Sequence, residues 1–246
     1  MNNQSGGSKS PSNIRDINTN PWFLHLIQIH DSAFPTGSFA HSFGMETYIQ
    51  EDLIRNEDDL REFCEMYVRH NLASTDAILV KEAYELAGKF DKQGLIHLEK
   101  ICHAIKLSPE TRKGSAMMGR QFLHMVYPLH EEELLKFWYE QLKSKKIKGH
   151  YPVIYGIYTA TLGVDLKMAV ETFLYSSITA LVQNAVRAVP LGQMSGVKTT
   201  FSLLPVIQET ARRVMTLDLD DLDNNSIGLE IASMKHEFLH SRLFIS

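Results

Sequence analysis

The chain has 246 residues, 44% of them hydrophobic, and a formal net charge of −4. That length suits one large domain or two small ones, with apolar content ample for a core. The small charge excludes a whole-surface affinity for nucleic acid, and the two cysteines, Cys64 and Cys102, exclude a disulfide framework.

Met1 to Asn20 is polar and rich in Asn, Ser and Gly. It reads as a disordered tail of residues 1–20 without a secretory signal, so a cytoplasmic location is expected. Residues 21–246 are expected to form one domain. Asn20-Pro21 resembles an N-cap and first helical position and opens a helix to about His30. The irregular, apolar segment from Asp31 to Glu46 ends it, with Gly37 and Gly44 supplying backbone freedom.

Asn56 followed by Glu57, Asp58 and Asp59 starts the next helix, its acids favoured by the dipole. Leu60, Phe63, Cys64, Tyr67, Val68 and Leu72 make its apolar stripe. Asp76 to Ala87 forms another, stopped at Gly88. Leu95, Leu98, Ile101, Cys102 and Ile105 mark a further stripe, so both cysteines read as core hydrophobes.

Ser108-Pro109 caps a helix that carries Gly114, Ser115 and Gly119, small residues that permit close approach of another backbone. Glu131 to Glu133 open the following helix, and Lys143, Lys145 and Lys146 close it as a solvated terminus. Tyr151 to Leu162 is apolar and closed by Gly163. Asp165 caps a long helix to about Val189, apolar on most faces and suited to the centre of a bundle. Its Gln183, Asn184 and Arg187 argue against a membrane span. Arg187 is read as a buried guanidinium that needs acceptors. Pro190 and Gly192 break the chain before a helix from Gln193 to about Thr216, in which Pro205 predicts a kink or split. Asp218 to Asn225 is an acidic linker, and a last helix runs from about Ile227 toward His240 or beyond. No strand alternation or repeat is visible. The fold class is all-α, a single helical bundle of roughly nine or ten helices.

Several patterns point to chemistry. His236-Glu237-Phe238-Leu239-His240 is H-E-x-x-H, which on one helix face would hold zinc with the glutamate as general base. A zinc-dependent hydrolase is therefore the alternative reading. No typical third ligand follows in the remaining residues, Ser241 to Ser246. There is no phosphate loop of the G-x-x-x-x-G-K-[ST] type, and Lys113-Gly114-Ser115 lacks the first glycine and the strand. Ser32, Ser38 and Ser42 lie near His41 in sequence without a nucleophile elbow. The eleven histidines are scattered, although His25, His30 and His41 are close enough to converge.

Asp31-Ser32-Ala33-Phe34-Pro35-Thr36-Gly37-Ser38-Phe39-Ala40-His41-Ser42-Phe43-Gly44-Met45-Glu46 closely resembles the signature of the UreF family, the F component of the urease accessory proteins. Gly114-Ser115 with Gly119-Arg120-Gln121-Phe122, the run His150 to Gly156, the run Ala185 to Gln193, and Glu230 to Glu237 with Ser241 to Phe244 resemble the later blocks of that family, in order. The resemblance implies an all-helical homodimer without catalytic activity. It implies binding to the D/H accessory protein and recruitment of the G accessory protein, a GTPase that carries nickel to apo-urease. Nickel would then be cargo, GTP would belong to the partner, and the chain would have no cofactor or metal site of its own and no nucleic-acid or membrane partner.

The partner-binding or assembly residues it nominates are Ser32, Phe34, Pro35, Gly37, His41, Ser42, Gly44, Glu46 and Tyr48 in and just after the signature, Arg187 and Gln193 around the central break, and His236, Glu237, Arg242, Leu243 and Phe244 near the terminus. Phe34, Pro35 and Phe39 are expected to pack the signature down as a shaped turn, its polar groups bracing it or facing a partner. His236 and Glu237 then become a hydrogen-bonding pair at a helix end.

Overall fold

Side-chain caps start three of the long helices where the sequence predicts them. Asn56 Oδ1 accepts the backbone N–H groups of Asp58 and Asp59, Ser108 Oγ that of Thr111, and Asp165 Oδ1 that of Met168. The computed structural model describes residues 20–245, and the expected tail lies outside them apart from Asn20.

Among the described residues there are eleven α-helices and no strand. They are α1 (Trp22–His30), α2 (Met45–Gln50), α3 (Glu57–Met66), α4 (Asp76–Gly88), α5 (Lys92–Ile105), α6 (Pro109–Val126), α7 (Glu133–Lys143), α8 (Tyr151–Thr161), α9 (Leu166–Ala188), α10 (Gln193–Val214) and α11 (Ile227–His236). The all-α class stands, and the helix not foreseen is α2, six residues long.

Its centre is α8 laid along α4. Gly156 makes this approach possible, because a Cβ there would sit 2.4 Å from the Val80 carbonyl oxygen. Val153, Ile154, Tyr155 and Ile157 of α8 are fully buried. Helix α9 packs on α4 and α10, α6 on α8, and α11 against α2 and α6. Gly119 serves the second close approach: a Cβ would lie 2.2 Å from the Gly149 carbonyl oxygen. Cys64 and Cys102 are both buried and unpaired, and burial pushes the Cys64 thiol up to about 12.

Several local expectations change. Helix α1 starts after Pro21, and Asn20 contributes its carbonyl, not its side chain, to the Phe23 N–H. The apolar stripe after Asn56 continues past α3 as a π-turn (Tyr67–Asn71) and a 3-10 turn (Leu72–Ser74), which still bury Tyr67, Val68 and Leu72. Helix α10 runs unsplit through Pro205. Pro205 and Phe201 are both exposed, so the carbonyl deprived of its N–H partner lies on the water side. Helix α11 ends at His236, short of His240.

Candidate functional site

The signature forms a two-hinged turn between α1 and α2. Gly37 and Gly44 have φ of +81° and +89°, the left-handed region that side chains resist. At Gly37 the demand is purely conformational, since nothing lies within 4 Å of a would-be Cβ. At Gly44 a Cβ would also press on the α11 backbone, 3.0 Å from the Leu229 carbonyl oxygen and 3.1 Å from the Ser233 nitrogen. Between the hinges, Asn184 of α9 donates to the His41 carbonyl at 2.9 Å. Phe34 meets Phe122 edge to face, with centroids 6.1 Å apart.

The first carboxylate after the second hinge organises the site. Glu46, 4% exposed, accepts the backbone N–H groups of Leu243 at 2.6 Å and Phe244 at 3.2 Å. It also lies 2.7 Å from His236 Nε2, and the other ring nitrogen, Nδ1, lies 2.7 Å from Glu110 of α6. The second oxygen of Glu110 accepts from Arg242 at 3.2 Å. An imidazole between two carboxylates can donate to both only when doubly protonated. In that form two carboxylates, one imidazolium and one guanidinium sum to zero charge, which is what a buried cluster requires. Thr47 adds a bond to the Ala232 carbonyl at 2.8 Å, Gln50 one to the Ser241 carbonyl at 2.8 Å, and the Ile245 N–H one to the Ala40 carbonyl at 2.8 Å. The C-terminal tail is thereby fastened to the signature.

Residues 54–204 match the sequence signature of the UreF family. The chain belongs to the UreF family. The urease accessory protein UreF of Sporosarcina pasteurii is 76% identical over 202 residues, which cover 82% of this chain and 100% of that relative. The urease accessory protein UreF of Bacillus sp. (strain TB-90) is 37% identical over 223 residues, 91% of this chain and 98% of the relative. UreF membership places the chain among the accessory proteins of urease maturation.

The structure brings together many of the residues nominated from the UreF resemblance. Glu46, His236, Arg242, Leu243 and Phe244 form one network. Gly37, His41, Ser42 and Gly44 shape the turn beside it. Phe244 is buried at 4% exposure beneath the Arg187 guanidinium, whose centre lies 5.8 Å from its ring. Arg187 itself is exposed, which corrects the buried reading: the end of α9 carries it to the surface, and it donates to the Phe39 carbonyl at 3.2 Å. Tyr48 is half-buried and sits edge to face on Phe63, 5.2 Å away. Gln193, the first residue of α10, is exposed, as are Ser32, Pro35 and Glu237.

The zinc reading fails on geometry. His236 is buried with both ring nitrogens engaged, while Glu237 and His240 lie beyond the helix end on exposed turns. The pair is therefore not one helical turn apart on a common face. Among the described residues no three His, Cys, Asp or Glu side chains converge as metal ligands. His30 is held by the Tyr155 hydroxyl at 2.9 Å, His25 is exposed, and His41 stacks obliquely on Phe43. Burial drives the His30 and His41 rings down to about 4, for His41 with help from the Lys113 charge. Lys113-Gly114-Ser115 lies inside α6 and forms no loop.

Sequence reasoning missed Glu110, Glu230 and Ser233. Glu230 accepts the Ser108 N–H at 2.7 Å, and Ser233 Oγ lies 2.9 Å from Ser108 Oγ and 3.0 Å from Thr111 Oγ1. The available signal was periodic. Helix α11 buries Glu230, Ser233 and His236 beside Leu229 and Ala232, and exposes Ile227, Ile231 and Met234 beside Lys235, with Phe238 following at 81% exposure. An ordinary surface helix does not turn three large apolar side chains outward while holding three polar ones inward. A cavity of about 410 Å³ lies behind the turn, lined in part by His30, Phe34, His41, Asp76, Lys106 and Glu230.

Proposed function

We propose that this chain is a non-catalytic adaptor of urease maturation. It binds the D/H accessory protein, pairs with a second copy, and recruits the G accessory GTPase that delivers nickel to apo-urease. Nickel is cargo in this reading, and GTP chemistry belongs to the GTPase. The apolar patch that α11 leaves exposed carries the proposal. A helix that holds Glu230, Ser233 and His236 inward beside Leu229 and Ala232, yet offers Ile227, Ile231 and Met234 to water with Phe238 just past its end, is made to be covered. The adjoining tail adds Leu243 and Ile245, 52% and 51% exposed, beside the half-exposed Arg242. Apolar side chains with an arginine at the rim are what a protein interface uses.

A second stripe, Met194, Val197 and Phe201 on α10, is 59–73% exposed and supports the homodimer. Replacing Ile231 and Phe238 by Asp is expected to abolish co-purification with the D/H protein and urease activation in a deletion strain, with the circular dichroism spectrum unchanged. Retained co-purification would refute the α11 surface, and full urease activity in the strain lacking this chain would refute the maturation role. Phe201→Asp is expected to give a monomer by light scattering; a persistent dimer would remove α10 from that interface.

A further inference from the structure

We infer that the cleft between α6 and the end of α7 is a docking site for an acidic segment of a partner protein. In the sequence, Lys143, Lys145 and Lys146 read as an ordinary solvated helix terminus. The fold adds to them. Because Gly119 lets the backbone at 149–151 lie against α6, Arg120 reaches the loop and donates to the Lys148 carbonyl at 3.3 Å. Arg120 and His124 of α6 then line one cleft with Lys143, Lys145 and Lys148. Its remaining lining is Tyr139, Leu142 and Ile147, and no carboxylate belongs to it. Tyr139 is held in place by stacking on Tyr127 at 4.6 Å and by the edge contact of His124 at 5.3 Å.

Two features separate this cleft from a scatter of surface lysines. Among the described residues none of its four formal cations enters an ion pair, although the chain as a whole is acidic at −4. Elsewhere Lys81, Lys92, Lys106, Lys167 and Lys235 each hold a carboxylate, while Lys89, Lys100, Lys113, Lys136, Lys146 and Lys198 enter no ion pair among the described residues, so what marks the cleft is the gathering of four such cations around one floor. Lys145 also occupies a glycine position. It has φ +58°, its N–H donates to the Leu142 carbonyl, and the Lys146 N–H donates to the Gln141 carbonyl, the paired bonds of a glycine-type helix ending. A cation stands where glycine would relieve the backbone.

The occupant follows from charge and shape. Unpaired cations around an aromatic and aliphatic floor match carboxylates interspersed with apolar side chains. A nucleic acid would meet an acidic surface outside the cleft. No cleft residue belongs to the signature, to α11 or to the tail, so this inference and the adaptor reading fail separately.

The test is fluorescence anisotropy of the full chain with a labelled hexaglutamate peptide at about 0.15 M salt, where only local charge clusters stay effective. Lys145→Glu with Lys148→Glu is expected to weaken binding at least about tenfold, and Lys89→Glu, outside the cleft, to leave it within about twofold. Lys145→Gly is expected to raise the melting temperature while weakening the peptide, a combination that a merely structural lysine would not produce. Failure of the peptide to bind, equal binding by the reversed variant, or tighter binding of tripolyphosphate or a short DNA duplex through the same lysines would overturn the assignment.

Discussion

At Glu46 one carboxylate meets three nitrogens, those of Leu243, Phe244 and His236, from the opposite end of the chain. An amide of the same shape would turn an N–H₂ toward at least one of these donors. Breaking a buried charged cluster by losing one partner costs about 3 kcal/mol or more. Glu46→Gln is therefore expected to lower urea-derived stability by that order and to expose the bond after Arg242 to trypsin. Unchanged stability with a protected tail would show that the network is dispensable. Arg242→Ala is the milder change, because its side chain is 41% exposed and Glu110 keeps His236.

Among the elements, α6 and the loop after α7 depend on a position without a side chain. A methyl at Gly119 would stand 2.2 Å from one backbone oxygen and 2.6 Å from the Tyr151 nitrogen, neither of which can swing aside as a long side chain does. Gly119→Ala is expected to destabilise the domain by more than about 3 kcal/mol in urea unfolding. Gly163→Ala, with open space and only a positive φ of 71°, is expected to cost about 1 kcal/mol. Equal costs would mean that backbone approach is not what Gly119 provides.

Helix starts at Asn56, Ser108 and Asp165 were legible in the sequence because a cap is a contact over two or three residues. The small residues of α6 likewise announced a close neighbour, which proves to be the 149–151 backbone. The Glu46–His236 contact was not legible, since it joins positions 190 residues apart with no local periodicity to mark it. The H-E-x-x-H match misled for the same reason: its meaning depends on where α11 stops, and fastening of the tail to Glu46 accompanies a stop at His236. Arg187 misled because apolar neighbours on α9 describe the helix and not the one face at its end.

For the whole molecule, the buried histidines set the response to acid. Burial pushes His30 and His41 down to about 4 and His150 to about 3. The charge of Lys113 adds to the effect at His41, and those of Lys106, His103, Arg120 and Arg112 at His150. A histidine whose folded value lies below its unfolded 6.5 binds its proton more readily in the unfolded chain. Its contribution is complete above about 6.5 and is lost as pH falls toward the folded value. Glu99 acts in the opposite sense. Burial raises it to about 7 against the pull of the Gly149 and His150 N–H groups, so its ionised form is disfavoured in the fold and relieved on acidification. At pH 5 each histidine forfeits about 2 kcal/mol, and Glu99 offsets about one of the three. The domain is therefore expected to lose on the order of 4 kcal/mol between pH 7.5 and pH 5 in urea titrations. His150→Gln, which keeps a hydrogen-bonding group near Ser115 Oγ but cannot charge, is expected to reduce that loss by about half while lowering stability at pH 7.5. A pH-independent midpoint, or an undiminished loss in the variant, would show that these rings are not what acid attacks.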